Sequence, residues 1–249
     1  MQQYNLGKRL NKFGNKGQQA VTKELQQMHV MEAFTPMDAT KLTYDDRNNS
    51  ITALMLLTEK RNDDIKGRAV PDGRKQCQYI KKEHASSPTS ALESILIVAS
   101  ITAHEGRDAT TIDLSGACLH TDSDEDVILH LKGKLAELMA TIDPQFYRKY
   151  IVNDAKGHPE LYVMVQKAIY GVLRSALLFY LKLVNDLEDC GFQLNPYDPC
   201  VANMDIGGKQ MTMIWHVDDT HASHEDPFEI MKLAVYLSNL YGENLTVKR

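Results

Sequence analysis

The chain has 249 residues, of which 43% are hydrophobic and 24% charged, a composition typical of a globular protein rather than a disordered one. Its apolar runs are far shorter than the roughly 20 residues of a membrane-spanning helix, and its first residues lack the apolar segment of a secretory signal. The four cysteines are scattered without a CxxC pair, which predicts a reduced, intracellular protein with neither a disulfide framework nor a zinc knuckle.

The net charge of −5 is unevenly distributed along the chain. Residues 1–100 carry 15 Lys and Arg against 11 Asp and Glu, a net of +4, whereas residues 101–249 carry 13 against 22, a net of −9. Within the basic part, residues 60–82 hold eight cations against three acids. The simplest interpretation of that run is a solvated charged face, and the sharper one is a surface that binds phosphates.

The first hundred residues predict helices and one hairpin strand. Residues 18–33 have helical spacing, residues 41–50 are polar and turn-like, and residues 64–70 with the following Pro-Asp-Gly predict a strand and its turn. A second helix is expected to begin at a capping box formed by Ser90 and Glu93.

From residue 109 onward, short strands alternate with helices. The predicted strands are residues 109–115, 126–131, 161–165, 199–204 and 209–217; the predicted helices are residues 173–190, ended by Gly191, and one that begins after Asp226 with Pro227 in its first turn. Phe228, Met231, Ala234, Val235 and Leu237 are expected to form the apolar face of the last helix. This order is most of a split β-α-β-β-α-β unit, whose last strand would lie near residues 244–248, and the predicted fold class is α+β.

Three carboxylates occupy unusual positions in this pattern. Asp113 interrupts an apolar strand, where an unpaired charge is costly, and Asp218 and Asp219 are adjacent at the end of another strand. Adjacent carboxylates repel each other unless a cation neutralises them, although two aspartates are also ordinary turn residues. Together the three would make an oxygen-only ligand set of the kind that Mg²⁺ prefers.

Six segments, in chain order, resemble blocks of the reverse transcriptases of copia-type (Pseudoviridae-like) LTR retrotransposons. They are IKGRAVPDGRKQ, ASSPTSALESILIVAS, TTIDLSGACLHTD, AIYGVLRSALLFYLKL, GFQLNPYDPCVA and MIWHVDDTHAS. Each block alone is weak, but six in order at plausible spacings, covering most of residues 18–245, are specific.

The resemblance implies the fingers and palm of a right-hand polymerase, with a split βαβ (ferredoxin-like) palm. Residues 1–106 would form an N-terminal segment and the fingers. Residues 107–249 would form the palm, with an interleaved fingers insertion at about residues 120–170, and the sequence would be truncated before the thumb.

The resemblance also implies roles for individual residues. Asp113, Asp218 and Asp219 match the catalytic metal ligands. The residues that match nucleotide-binding positions are Lys66 and Arg68 over the triphosphate, Ala117 and Cys118 beside the sugar, and Gly171 near the templating base. Those that match positions near the primer or template are His216, Val217, Tyr170 and Arg174.

Several of these positions depart from the family pattern. Cys118 stands where an aromatic side chain usually blocks a ribose 2′-hydroxyl, which predicts poorer discrimination against ribonucleotides. His216 replaces a tyrosine, and Arg174 replaces a glutamine. Pro71 lies in the predicted fingers strand although proline lacks a ladder donor.

The function implied is that of an RNA-directed DNA polymerase, which transfers nucleotides from dNTPs to a primer 3′-hydroxyl with two Mg²⁺ ions, or Mn²⁺ as a substitute. The implied partners are an RNA template, a DNA primer-template, dNTPs and the rest of the pol polyprotein (thumb, ribonuclease H and integrase), without a membrane. The implied location is intracellular, in cytoplasmic virus-like particles with a nuclear step. One alternative is an inactive or co-opted relic of such an enzyme.

A second alternative is a metallohydrolase that binds a transition metal through the histidines and acids of residues 216–226. Strand alternation across this run would place His216 and Asp218 on one face and Asp219 and His221 on the other, which would scatter the ligands. If the ligands are scattered in this way, His221 and His224 are simply surface histidines of the strand that follows the aspartate pair.

Overall fold

The computed structural model describes residues 6–114, 116–242 and 246–248 of a mixed α+β protein. The chain divides into two compact units. Unit 1 comprises residues 1–85 and 122–175, and unit 2 comprises residues 86–121 and 176–249. Residues 86–106 belong to unit 2, and the predicted fingers–palm boundary near residue 106 stays a prediction.

Unit 1 is built on a mixed sheet with the strand order β1-β7-β5-β2-β3, in which β6 also pairs with β7. Among the described strands of this sheet, β2 and β5 alone pair in parallel. The strands are β1 (Phe34–Pro36), β2 (Ile51–Glu59), β3 (Ile65–Pro71), β5 (Ile128–Lys132), β6 (Val152–Asn153) and β7 (Pro159–Val165). The helices are α1 (Leu6–Val30), α2 (Tyr44–Asn49), α4 (Lys134–Ile142) and α5 (Pro144–Tyr147).

The long helix α1 contacts β2, β3 and α4 of unit 1. The predicted helix at residues 18–33 is confirmed, but α1 begins earlier, at Leu6, and has a kink at Gly14, where φ is 53°. Its buried residues recur three and four positions apart, as in a helix that packs along one face. They are Gly17, Ala20, Val21, Leu25 and Met28.

A glycine allows α1 to lie directly on β3. A Cβ added at Gly67 would stand 2.7 Å from the backbone oxygen of Ala20. Two residues further along β3, the Ala69 N–H donates to the Glu24 carboxylate at 3.0 Å. Burial raises the pKa of that carboxyl group, against the lowering effect of the Ala69 hydrogen bond and of Lys66 and Arg68. Helix and strand are therefore joined by backbone contact and by a side-chain acceptor.

The strands predicted at residues 64–70, 126–131 and 161–165 are confirmed as β3, β5 and β7. The turn-like interpretation of residues 41–50 is wrong, because residues 44–49 form α2. That helix begins at a capping box in which the Thr43 side chain and the Asp46 side chain each bond the other's backbone N–H. The strand β2, which was not predicted, pairs with both β3 and β5.

Unit 2 is built on an antiparallel sheet with the strand order β12-β4-β11-β10-β9-β8. The strands are β4 (Asp108–Asp113), β8 (Gln193–Leu194), β9 (Val201–Ile206), β10 (Lys209–His216), β11 (Asp219–His224) and β12 (Thr246–Lys248). The helices are α3 (Leu92–His104), α6 (Ser175–Asp189) and α7 (Pro227–Tyr241). The predicted order of strands and helices from residue 109 is confirmed, including a final strand, and β8 and β11 lie outside the predicted strand ranges.

Helix α3 belongs to unit 2 because Val98 packs with Val201 and Ile214 of the sheet. The capping box predicted at Ser90 is wrong. The N-cap is Ala91, whose side chain accepts no hydrogen bond, and the Ala91 N–H donates instead to the Asp198 carboxylate at 2.9 Å. A residue distant in sequence thus provides the acceptor that the capping box was expected to supply. Among the described residues, none of the helices combines the length and the apolar character needed to cross a membrane.

Helix α7 begins as predicted, with the Asp226 side chain accepting from the Phe228 N–H and proline in the first turn. Its apolar face was only partly predicted. Ala234 and Leu237 are buried, but Phe228, Met231 and Val235 are exposed. The residues that α7 buries are Ile230, Leu233, Ala234, Leu237 and Tyr241.

One aspartate joins α6 to α7. The Asp186 carboxylate accepts from the Tyr241 hydroxyl and from the Lys182 ammonium, the latter at 2.8 Å, and its backbone oxygen accepts from the Tyr236 hydroxyl at 2.8 Å. Burial raises the pKa of Tyr241, so its hydroxyl stays protonated and acts as the donor. This cluster fixes the relative position of α6 and α7.

We expect Gly67→Ala to lower the free energy of unfolding by about 1–3 kcal/mol, since the added methyl group would overlap the α1 backbone. Urea denaturation of the purified chain measures this change. The control is Thr58→Ala, at an exposed site on the neighbouring strand, for which a change below about 1 kcal/mol is expected. Equal stability of Gly67→Ala and the wild type would contradict the close approach of α1 to β3.

Candidate active site

The β4–β11 ladder brings together two of the three candidate carboxylates. Asp113 and Asp219 are Cα partners in this ladder. Residues directly opposite in an antiparallel pair have Cα atoms about 4.5–5.5 Å apart and side chains on the same face. Asp218 is adjacent, and its backbone oxygen accepts from the Leu114 N–H at 3.4 Å. All three aspartates therefore lie at one end of the unit 2 sheet.

Asp218 is held in a two-residue turn between β10 and β11, because His216 and Asp219 are the closing pair of that hairpin. The first residue of the turn, Val217, has a φ of 59°. A β-branched residue rarely adopts this left-handed conformation, and a hairpin turn of this kind usually has glycine there. Such strain, of the order of 1–3 kcal/mol, is concentrated at functional sites in proteins.

The three carboxylates remain accessible at the surface of unit 2. Asp113 and Asp218 are half-buried and Asp219 is exposed. In the part of the chain that the structure describes, no group of three or more His, Cys, Asp or Glu side chains is placed to enclose a metal ion. Magnesium sites in nucleotide-using enzymes commonly take one or two protein carboxylates, with the remaining ligands from water and substrate phosphates. Among the described residues, the aspartates therefore do not form a preassembled metal cage.

The histidines near the aspartates are not arranged as expected. The turn at residues 217–218 interrupts strand alternation, so His216 and Asp219 are register partners on the same face, and His221 shares that face with Asp219. The prediction that alternation would separate His216 from Asp219 and His221 is therefore wrong.

The prediction of surface histidines on β11 is wrong for His224. His224 is 2% exposed, and its Nδ1 accepts from the Asp226 N–H at 3.0 Å, next to the start of α7. His221 is half-buried, and burial lowers the pKa of its imidazole. The role of His224 is thus structural.

Unit 1 presents a basic surface along β3. Lys66 and Arg68 are two residues apart on this strand, so both side chains lie on one face, and both are exposed. The Arg68 guanidinium carbon lies 5.8 Å from the centroid of the Tyr170 ring, within the range of a cation–π interaction. This arrangement combines charge that attracts phosphate with an aromatic face that a base can stack on.

Gly171 has a protein-packing reason to be glycine. Its φ is 102°, and an added Cβ would lie 2.7 Å from the backbone oxygen of Pro71 and 2.7 Å from Val70 Cγ1. Because Gly171 has no side chain, Val70 and Pro71 at the end of β3 can pack against its backbone. Its expected proximity to a templating base stays a prediction.

Arg174, predicted to lie near the template, is bound to acidic side chains of unit 1. Its Nε and Nη2 donate to the two carboxylate oxygens of Asp124, the first at 3.1 Å, and its Nη1 donates to the His84 backbone oxygen at 3.1 Å. The Glu125 carboxylate lies 3.7 Å from Nε. Every guanidinium nitrogen of Arg174 therefore has an acceptor within unit 1.

Gln76 is a fully buried polar residue whose role was not predicted. Its Oε1 accepts from the Leu173 N–H at 3.0 Å, and its Nε2 donates to Glu125 at 3.3 Å. It therefore connects the segment after β3 to the segment that carries Arg174. A polar residue shortly after a Pro-Asp-Gly turn is usually exposed, so the sequence gives no signal for this buried role.

The two residues expected beside the nucleotide sugar lie in a 3-10 turn, Ala117–His120. Cys118 is 1% exposed. Contact between its thiol and a sugar would require this segment to move, and the sugar-gate role stays a prediction. The side chain of Ala117 lies outside the described residues.

No protein-family model matches the sequence, and no curated protein matches it. Solved structures of telomerase align with this chain at low similarity. Telomerase from Candida albicans in complex with the TWJ fragment of telomeric RNA aligns with a TM-score of 0.40 and 11% identity over 89% of this chain and 45% of that one. Apo telomerase from Candida tropicalis aligns with a TM-score of 0.42 and 11% identity over 92% of this chain and 48% of that one.

A third structure, telomerase from Candida tropicalis with the same RNA fragment, aligns with a TM-score of 0.37 and 9% identity over 79% of this chain and 41% of that chain. The chain thus spans less than half the length of each of these structures. These TM-scores are too low to establish a shared fold.

We expect Val217→Gly to raise the free energy of unfolding by about 1 kcal/mol, because relief of turn strain exceeds the added flexibility of glycine in the unfolded chain. Differential scanning calorimetry measures the change. Val235→Gly, at an exposed helix position, is the control and should be slightly destabilising. A loss of stability in both variants would contradict the strained turn.

We expect Cys118→Phe to destabilise the chain by about 1–3 kcal/mol through overpacking, rather than to improve nucleotide selectivity. Thermal unfolding tests this expectation, with Cys77→Phe, at an exposed site, as the control. An unchanged melting temperature together with stronger discrimination against ribonucleotides would instead support the sugar-gate role.

Proposed function

We propose that the chain is the fingers-and-palm part of an RNA-directed DNA polymerase. The observation that carries the proposal is the β4–β11 register, which places Asp113 opposite Asp219 with Asp218 in the adjoining turn. These residues come from distant parts of the sequence, and an antiparallel sheet with helices α6 and α7 brings them to one edge. In this proposal unit 2 is the palm and unit 1 is the fingers.

The side chains of this chain would act by positioning and by neutralising charge, which are the main requirements of phosphoryl transfer. Asp113, Asp218 and Asp219 would hold the metal ions at the end of the sheet. When bound, two Mg²⁺ ions would activate the primer 3′-hydroxyl and stabilise the leaving pyrophosphate. Lys66 and Arg68 would donate to the phosphate oxygens of the incoming nucleotide.

The copia-type assignment is part of the proposal and rests on the six sequence blocks. With it come an RNA template, a DNA primer-template and dNTPs as substrates, and a thumb, ribonuclease H and integrase as parts of the same polyprotein. Mn²⁺ would substitute for Mg²⁺, and the site of action would be cytoplasmic virus-like particles with a nuclear step. The histidine-based metallohydrolase is not retained, because His224 is buried and bonded to the Asp226 backbone.

We expect the chain to extend a DNA primer on an RNA template with Mg²⁺ and dNTPs, and Asp113→Asn or Asp218→Asn to reduce the rate by about two orders of magnitude or more. Asp189→Asn, an exposed residue at the end of α6, is the matched control and should leave the rate unchanged. Extension by Asp113→Asn at the wild-type rate would overturn the proposal.

A second measurement separates an active enzyme from a relic. Binding of Mn²⁺ to the chain with primer-template and dNTP, followed by electron paramagnetic resonance, should depend on Asp113 and Asp218. Carboxylate-dependent Mn²⁺ binding without extension would indicate an inactive relic. If neither binding nor extension depends on these aspartates, the polymerase function is wrong.

A further inference from the structure

The Arg174 guanidinium is engaged in the manner by which arginine binds a phosphate. Two of its nitrogens donate to the two oxygens of the Asp124 carboxylate, a bidentate geometry that phosphates also satisfy. The Arg174 side chain is 25% exposed and that of Asp124 is 40% exposed, so the pair lies at the surface of unit 1 and a ligand from solvent can reach it.

The partner of Arg174 belongs to a short acidic loop, residues 122–126, which contains four acids and Ser123. The loop holds a second cation as well, because Lys167 donates to Asp122 at 2.6 Å. Its backbone is anchored on both sides: the Ser123 N–H donates to the Gln166 backbone oxygen at 2.8 Å, and Val127 is buried. Rotation of the Asp124 side chain would free Nε and Nη2 of Arg174 for a phosphate, while Nη1 stays bonded to the His84 backbone oxygen.

We propose that the acidic loop acts as an internal phosphate mimic, in which Asp124 occupies Arg174 until a phosphodiester of a bound nucleic-acid strand displaces it. This inference rests on the proposed function, since it assigns the displacing ligand to the template strand. The loop weakens binding of nucleic acid in general and is displaced most readily by a strand that makes enough other contacts.

The Asp124–Arg174 ion pair has the modest strength expected of a contact that a ligand can replace. Ion pairs with this degree of exposure contribute modestly to stability and are screened by salt. Displacement therefore requires little energy, and release of Arg174 adds one phosphate contact to the complex. An additional phosphate contact on single-stranded nucleic acid steepens the dependence of log affinity on log salt by about 0.7.

The test measures the affinity of the chain for a fluorescent single-stranded RNA by anisotropy across a salt series. We expect Asp124→Asn to bind several-fold more tightly at low salt, with a salt dependence steeper by about 0.7. Asp126→Asn is the matched control, because it removes the same charge from the same loop at an exposed residue that does not pair with Arg174 in the described part of the chain. It should tighten binding less and leave the salt dependence unchanged.

The Arg174→Gln substitution tests whether Arg174 is the cation that causes the tighter binding of RNA. In the double variant with Asp124→Asn, the tighter binding and the steeper salt dependence should both disappear, and circular dichroism melting checks that each variant is folded. Persistence of the gain in the double variant overturns the inference. Binding that Asp124→Asn does not tighten beyond Asp126→Asn overturns the inference alone, whereas no RNA binding by any of these proteins overturns it together with the proposed function.

Discussion

The ladder between β4 and β11 is the constraint on which the candidate active site depends. It pairs segments 108 residues apart, as in the hydrogen bond of 2.7 Å from the Thr220 hydroxyl to the Ile112 backbone oxygen. The sheet face that carries Ile112 and Ala222 is fully buried, which fixes the register, since a slip by one residue would expose both. The register then forces Asp113 and Asp219 to be neighbours, although like charges opposite each other are unfavourable.

The two units differ in charge as well as in topology. Unit 1 contains 22 Lys and Arg against 18 Asp and Glu, a net of +4, whereas unit 2 contains 6 against 15, a net of −9. The acidic unit carries the three aspartates, and its negative charge favours divalent cations. The basic unit carries Lys66 and Arg68, together with a loop that neutralises two of its own cations. The charge of each unit therefore matches the ligand that we propose for it.

The sequence predicted the structure correctly where the signal lies within one helix or strand. The Asp226 cap with Pro227 and the helix predicted at residues 173–190 each depend on residues within one element, and both were predicted. Prediction failed where distant residues decide. The acceptor at the start of α3 is Asp198, more than 100 residues from Ala91. On α7, Phe228 has the spacing of a buried residue, but only the position of the sheet determines which side of the helix is covered.

The candidate site shows the same division between local and distant information. The motif likeness selected Asp113, Asp218 and Asp219, but the pairing of the first with the last and the strained Val217 turn follow only from the structure. Likewise, Gly171 is required by the Pro71 backbone and Arg174 is engaged by Asp124, and neither partner is close in sequence. The burial of Cys118 also depends on distant contacts.

The covering of β3 by α1 has a consequence for how the protein tolerates shortening. β3 is the last strand of its sheet, and its outward amide at Ala69 is bonded to Glu24 of the helix. A chain beginning after Val30 would expose that amide and the surface at Gly67. A strand of a second molecule could then pair with β3. Self-association of such a shortened protein would then arise from loss of the helix that shields this strand.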